Sequence, residues 1–292
     1  MSRGVSFGAL LRSEWTKLRS VRSTWWCTAV YLLVVGASGW LAAAGTDSAP
    51  RADIAVSAAL TGFGFGQLVL VVLGVLAVSS EFGSGMALVS LTAVPRRTRL
   101  LLAKTVVVAV YCALLTALLV VVCAVAARSL TAVPGEWSLE DPGVVRQVVL
   151  QVGAAALVGV LAVALATALR STAGAVGLGM ALVFVLPPVL ALAGGNLASR
   201  LSQALPALRV GEDPFLAVPT GWAVGLVVCG AWALGAWAVG AVLLEGRDVQ
   251  GASDGPPASA RVRQARPNGV RRRPPGRRGT PPAAPVRTTS GW

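Results

Sequence analysis

Six long apolar runs alternate with short polar segments along this chain. Each run is about 20 residues long, the length at which a helix crosses the hydrocarbon core of a bilayer. The runs lie at about 25–44, 58–78, 100–127, 148–169, 173–193 and 220–244. The pattern predicts an all-α integral membrane protein whose six transmembrane helices form one domain, residues 1–248.

A shorter amphipathic pattern precedes the first apolar run, in residues 6–23. Leu11, Trp15 and Leu18 recur at helical spacing, and basic residues lie among the remaining positions: Arg12, Lys17, Arg19 and Arg22. This pattern predicts a helix that lies in the membrane interface with its apolar face in the lipid. The alternative is a solvated basic N-terminus.

Glycine and proline interrupt the apolar runs at several places. Pro187-Pro188 should kink or end the fifth run. Gly62, Gly64 and Gly66 begin the second run, where small residues let helices approach closely. Between 197 and 218, leucines at helical spacing predict short amphipathic helices before the last span.

Charge sets the expected orientation. The chain has 292 residues, of which 55% are hydrophobic and 13% charged, with a net charge of +13. The basic residues concentrate before the first run, between the second and third, after the fourth, and in the tail. Because basic loops stay in the cytoplasm, both termini are predicted to be cytoplasmic. The placement favours anionic lipid, and not nucleic acid, as the partner of this charge.

The tail, residues 249–292, has a different composition from the rest. It is rich in arginine and proline and lacks the apolar content to fold. It is predicted to be disordered and cytoplasmic.

The loop from 79 to 104 carries unusual chemistry for so apolar a chain. Glu81 follows the second run, Met86 to Val94 form a short amphipathic segment, and Pro95 stops it. The residues of interest are Glu81, Met86, Val89, Ala93, Pro95, Arg96 and Arg97. Met86, Val89 and Ala93 could share one helix face, which would suit docking onto a partner. Lys104, near the start of the third run, is expected to snorkel to the interface.

The sequence gives little support for a catalytic site or a bound cofactor. The sequence has no histidine, and its four cysteines fall inside apolar runs, where they are expected to be small buried hydrophobes. No P-loop motif occurs, so nucleotide binding is not expected on this chain. We expect no catalytic residue, no metal and no cofactor. Gln67 and Gln151 either hydrogen-bond between helices or contact a permeant molecule.

Two segments and the six-span plan resemble type-2 ABC exporter permeases of bacteria. The first segment reads EWTKLRSVRSTWW and the second SSEFGSGMALVSLTAVPRRTRLLLAK, and the resemblance covers about residues 8–248. It implies that residues 6–23 form the family's elbow helix. It also implies that Met86 to Val94 form the coupling helix, which fits a cleft on a separate ABC ATPase subunit.

The resemblance predicts the membrane subunit of an ATP-driven exporter in the bacterial cell membrane. It would pair with a second permease copy or a related permease, as a homodimer or a heterodimer. The charge-poor interior suits a hydrophobic or amphiphilic cargo. The alternatives are a non-transport scaffold, regulatory or immunity protein, and an ATP-independent carrier.

Overall fold

Helices make up all the regular structure that can be described. The computed structural model describes residues 6–44, 60, 62–83, 97–130, 142–206 and 222–246. The helices are α1 (Phe7–Ser20), α2 (Arg22–Ala44), α3 (Gly62–Gly83), α4 (Arg97–Leu130), α5 (Pro142–Leu169), α6 (Thr172–Met180), a π-helical turn (Ala181–Val185), α7 (Leu186–Ala193), α8 (Gly195–Ala204) and α9 (Trp222–Gly246).

Six helical segments are long and apolar enough to cross a membrane. They are α2, α3, α4, α5, the continuous segment from α6 through the π-helical turn into α7, and α9. The predicted all-α, six-span fold is therefore confirmed within the described ranges. The tail from residue 247 lies outside them.

The N-terminal helix α1 forms where the amphipathic pattern predicts it. Ser6 caps it, because its Oγ accepts a hydrogen bond from the Ala9 amide at 3.3 Å. Its fully buried residues are Leu10, Glu14 and Leu18, of which only Leu18 belongs to the predicted apolar stripe. The helix packs against α4 and, less extensively, α2. The expectation of lipid contact is therefore wrong for Leu18, whereas the placement of α1 in the membrane interface stays a prediction.

The fourth span, α5, occupies the centre of the bundle. It packs against α3, α4, α6 and α9 and is the most buried of the six spans. Its contact faces are rich in alanine and glycine, which let helix axes approach closely. At Gly74 of α3, an added Cβ would lie 2.6 Å from the Cβ of Ala162 and 3.3 Å from the carbonyl oxygen of Gly159.

The glycines at the start of the second span allow a close approach to α2. An added Cβ at Gly66 would lie 2.5 Å from Val35 Cγ2 and 2.8 Å from the Tyr31 ring. At Gly64 it would meet nothing within 4 Å. The packing interpretation is thus confirmed for Gly66, whereas Gly64 faces open space.

Proline changes the fifth span without ending it. Ahead of Pro187-Pro188 the helix widens into a π-helical turn, in which the Leu186 amide donates to the Ala181 carbonyl. Prolines lack an amide hydrogen, so a locally wider helix accommodates the lost hydrogen bonds. The span ends further on at Gly194 and Gly195, whose φ angles of 68° and 86° suit glycine.

Helix ends differ from the predicted spans by several residues. Helix α5 begins at Pro142 and not near 148, since proline is well tolerated in the first turn of a helix. Helix α3 continues to Gly83, so Glu81 lies within it. Of the segment predicted to hold short amphipathic helices, α8 and residues 205–206 are described, and residues 207–221 are not.

Replacement of Gly74 by alanine should destabilise the bundle. The new methyl group would overlap Ala162 and crowd a backbone oxygen, which cannot rotate away. We expect a loss of about 1–3 kcal/mol in the free energy of unfolding, typical of overpacking. Thermal unfolding of the detergent-solubilised protein measures it.

The matched control for this prediction is Gly64→Ala on the same helix. Its methyl group enters open space, so only the better helix propensity of alanine acts, worth at most about 1 kcal/mol. Equal unfolding temperatures for the two variants would contradict the close packing of α3 on α5.

Candidate functional site

The segment predicted to dock a partner lies between α3 and α4. Residues 84–96 fall outside the described ranges, and with them the predicted docking positions Met86, Val89, Ala93, Pro95 and Arg96. The structure places the backbone of the two flanks. Glu81 lies in the last turn of α3, and Arg97 is the first residue of α4. The docking roles of these seven residues stay predictions.

A buried ion pair joins the N-terminal helix to the third span. Glu14 Oε2 lies 2.7 Å from Lys104 Nζ, and Glu14 Oε1 lies 2.8 Å from Lys17 Nζ. The side chain of Glu14 is only 2% exposed and that of Lys104 10%, whereas that of Lys17 is 34% exposed. One carboxylate therefore lies between a buried ammonium group and a partly exposed one.

Lys104 also contacts the second span. Its Nζ donates a hydrogen bond of 3.4 Å to the carbonyl oxygen of Ala77 in α3. Ala77 lies four residues, one helical turn, before Glu81. The Lys104 side chain thus joins α1, α3 and α4 near the two helix ends that border residues 84–96.

The expectation that Lys104 snorkels to the interface is wrong. Its side chain is buried against α1 and paired with Glu14. The sequence does contain a signal for this ion pair. Glu14 is the only acid in the basic N-terminal segment, and Lys104 is the only lysine in the apolar runs. A single charge inside an apolar run, such as that of Lys104, is costly to bury unless it is paired with an opposite charge.

The surroundings of Glu14 favour its ionised form. Burial raises the pKa of the Glu14 carboxyl, but the charges of Lys104 and Lys17 and the hydrogen bonds they donate outweigh it, so the pKa lies below its ordinary value. The ion pair is therefore complete at neutral pH.

Aromatic and hydroxyl groups extend this connection into the first span. The rings of Trp15 in α1 and Tyr111 in α4 pack edge to face, with centroids 6.0 Å apart. The Tyr111 hydroxyl lies 2.7 Å from Thr28 Oγ1 in α2, and the Tyr31 hydroxyl of α2 lies 2.8 Å from Thr116 Oγ1 in α4. These two tyrosines, Thr28 and Thr116 therefore form hydrogen bonds between α2 and α4.

The sixth span is tied to the same helix. Trp237 Nε1 in α9 donates to Thr105 Oγ1 at 3.1 Å, and Thr105 is the neighbour of Lys104. Thr105 Oγ1 in turn donates to the Leu101 carbonyl at 2.8 Å. Helix α4 therefore makes polar contacts with α1, α2, α3 and α9.

The two glutamines singled out from the sequence are both buried. Gln67 in α3 is 7% exposed and Gln151 in α5 is 4% exposed, and these two helices pack against each other. A third buried glutamine, Gln147, lies one turn before Gln151 and was missed by the sequence analysis. Contact of Gln67 or Gln151 with a permeant molecule stays a prediction.

Comparison with known proteins identifies one similarity. A family model described as ABC-2 family transporter protein matches residues 10–188. The match begins inside α1, includes Glu14 and Lys104, and ends at Pro188 in the fifth span. Among curated proteins, none matches this sequence.

Removal of one partner of the buried pair should cost more than removal of both. Lys104→Met leaves Glu14 buried with only the partly exposed Lys17, so we expect a destabilisation of about 3–5 kcal/mol. Combining it with Glu14→Gln removes the buried charge and should recover a large part of that loss. Unfolding temperatures of the two single variants and the double variant measure the coupling.

Lys17, the partly exposed partner of Glu14, provides the control variant. Lys17→Gln alters the partly exposed ion pair and should cost at most about 1 kcal/mol. Strictly additive effects of Lys104→Met and Glu14→Gln would show that the two side chains do not interact.

The pair should also give the protein a specific sensitivity to acid. A lowered pKa in the folded state means that the stabilisation is present above the unfolded value and is lost as the pH falls through the folded one. The stability advantage of the wild type over Glu14→Gln should therefore be constant near neutral pH and shrink below the ordinary value of 4.5.

Unfolding temperatures of both proteins over a pH series measure this difference. Glu245→Gln, which changes an exposed carboxylate near the end of α9, is the matched control. An advantage that grows in acid would contradict the direction of the shift.

Proposed function

The chain belongs to the ABC-2 transporter family, a family of membrane transport permeases, and we propose that it is the membrane subunit of an ATP-driven exporter. In this proposal the chain forms the substrate pathway and does not hydrolyse ATP. A separate ABC ATPase subunit supplies the energy. The absence of a P-loop motif from the sequence supports this division of labour.

The polar connections around Lys104 are the observation that supports coupling best. The segment proposed to dock the ATPase is bordered by α3 and α4, and the Lys104 side chain contacts both α1 and α3 from α4. A force applied to residues 84–96 would thus act on three linked helices together. Such a linkage suits a permease that receives movement from another subunit.

Each proposed coupling residue has a defined role. Met86, Val89 and Ala93 would present an apolar face to a cleft on the ATPase, and Pro95 would end the coupling helix. Arg96 and Arg97 would face acidic groups of the ATPase or of the lipid surface. Glu81, in the last turn of α3, would pass the movement into the second span.

The transport pathway would form between two permease subunits, identical or related. Gln67 and Gln151 are the proposed polar groups that a permeant molecule meets. The apolar and nearly uncharged spans suit a hydrophobic or amphiphilic cargo moved outward across the bacterial plasma membrane. Both termini would lie in the cytoplasm, as the distribution of basic residues predicts.

Family membership favours transport over the alternative of a non-transport scaffold, regulatory or immunity protein. The alternative of an ATP-independent carrier would need a coupling-ion site. Lys104 is a buried charge in the described spans, but its partner Glu14 belongs to α1, which is not a span. This ion pair therefore does not supply a coupling-ion site within the spans.

An affinity-tagged chain should co-purify with an ABC ATPase from its native membranes. Val89→Asp would place a charge on the proposed docking face and should reduce the recovered ATPase about tenfold, the effect of losing an interface hot spot. Ser90→Asp introduces the same charge one position along, which would be on another face of the proposed helix, and should have a much smaller effect.

Two results would overturn this proposal. The wild-type chain could bring down no ATPase under conditions that preserve its fold. Alternatively, Val89→Asp could retain as much ATPase as the wild type and Ser90→Asp do.

A further inference from the structure

A cavity lies beneath the N-terminal helix, beside the buried ion pair. Its volume is about 220 Å³, and α1, α3 and α4 line it together with the start of α2. Glu14, Lys17 and Lys104 contribute to its wall, as do the hydroxyl-bearing residues Ser20 and Ser80. The established family match says nothing about what enters it.

The cavity is polar at one end and apolar at the other. Helix α3 ends just before residues 84–96, and α4 begins just after them. The change from polar to apolar side chains in the cavity wall can therefore be traced along both helices. On α4, Lys104 precedes Val107 and Val108 by about one turn, and on α3, Ser80 follows Leu76 by about one turn. Polar side chains therefore lie near the helix ends, and apolar ones lie deeper in the spans.

Basic and aromatic side chains are exposed at this end of the bundle. The exposed faces of α1 carry Arg12 and Arg19, and Trp25, at the start of the first span, is 60% exposed. Exposed tryptophans are typical of the headgroup region, and clustered basic residues attract anionic lipids. An amphiphile reaching the cavity would come from that region.

Lys17 is suited to meet such a molecule. It lines the cavity, and its side chain is 34% exposed while its ammonium group stays paired with Glu14 Oε1 at 2.8 Å. An ammonium group at the mouth of a cavity that becomes apolar inward is complementary to a phosphodiester attached to an acyl glycerol.

We propose that this cavity binds the headgroup of an anionic phospholipid. Its phosphate contacts Lys17, and the first carbons of its acyl chains lie against Leu76, Val107 and Val108. The bound lipid would help to fix the angle between α1 and the spans through its contact with the partly exposed Lys17. The ion pair between Glu14 and Lys104 fixes the same angle through a buried contact. The proposal does not depend on the proposed exporter function.

Native mass spectrometry of the full detergent-solubilised chain tests this with added phosphatidylglycerol. Lys17→Gln should lower the fraction of chain carrying the lipid about fivefold. Arg12→Gln, on an exposed position of the same helix that does not line the cavity, should lower it much less. Ala77→Leu keeps every charge but places a larger side chain in the cavity, so it should abolish lipid retention.

Three further comparisons decide the outcome. Phosphatidylcholine should be retained poorly, and inorganic phosphate should not displace phosphatidylglycerol, since the apolar end contributes to binding. Equal losses in Lys17→Gln and Arg12→Gln would mean general surface attraction and overturn the proposal. Displacement by phosphate alone, or full retention in Ala77→Leu, would overturn it as well.

Discussion

The position of the N-terminal helix depends on one buried charge. Lys104 lies inside an apolar bundle, where an unpaired ammonium group would be very costly, and Glu14 from α1 neutralises it at 2.7 Å. A buried pair adds little net stability over apolar residues that would fill the same space. Its contribution is a defined geometry, because the charge is satisfied only when α1 lies in one place.

Apolar and polar contacts are divided between two helices. Helix α5 provides the central apolar surface, with small side chains that let four neighbours approach it. Helix α4 provides most of the polar contacts, from Lys104 to Thr116, a stretch of about 18 Å along its axis. Close packing of small residues holds helices together without strongly fixing their register, whereas paired polar groups fix it.

Sequence reasoning was most successful where bilayer physics dictates the pattern. The number of spans followed from run length, and α1 followed from helical spacing. Helix ends were less predictable, since α5 begins at Pro142, outside the apolar run. The contact between Glu14 and Lys104 was missed because it joins residues 90 positions apart, which no local periodicity encodes.

The contacts of α4 bear on how a movement would spread through the protein. A displacement at its first turn would first meet the Lys104 contacts with α1 and α3, and then the Thr105 contact with Trp237 in α9. Two turns further along, Tyr111 reaches both Trp15 and Thr28. Because these contacts together link α4 to α1, α2, α3 and α9, a rigid shift of α4 cannot leave its neighbours in place without breaking a polar contact between helices. Neighbouring helices would therefore move with α4, as the proposed coupling to an ATPase subunit requires.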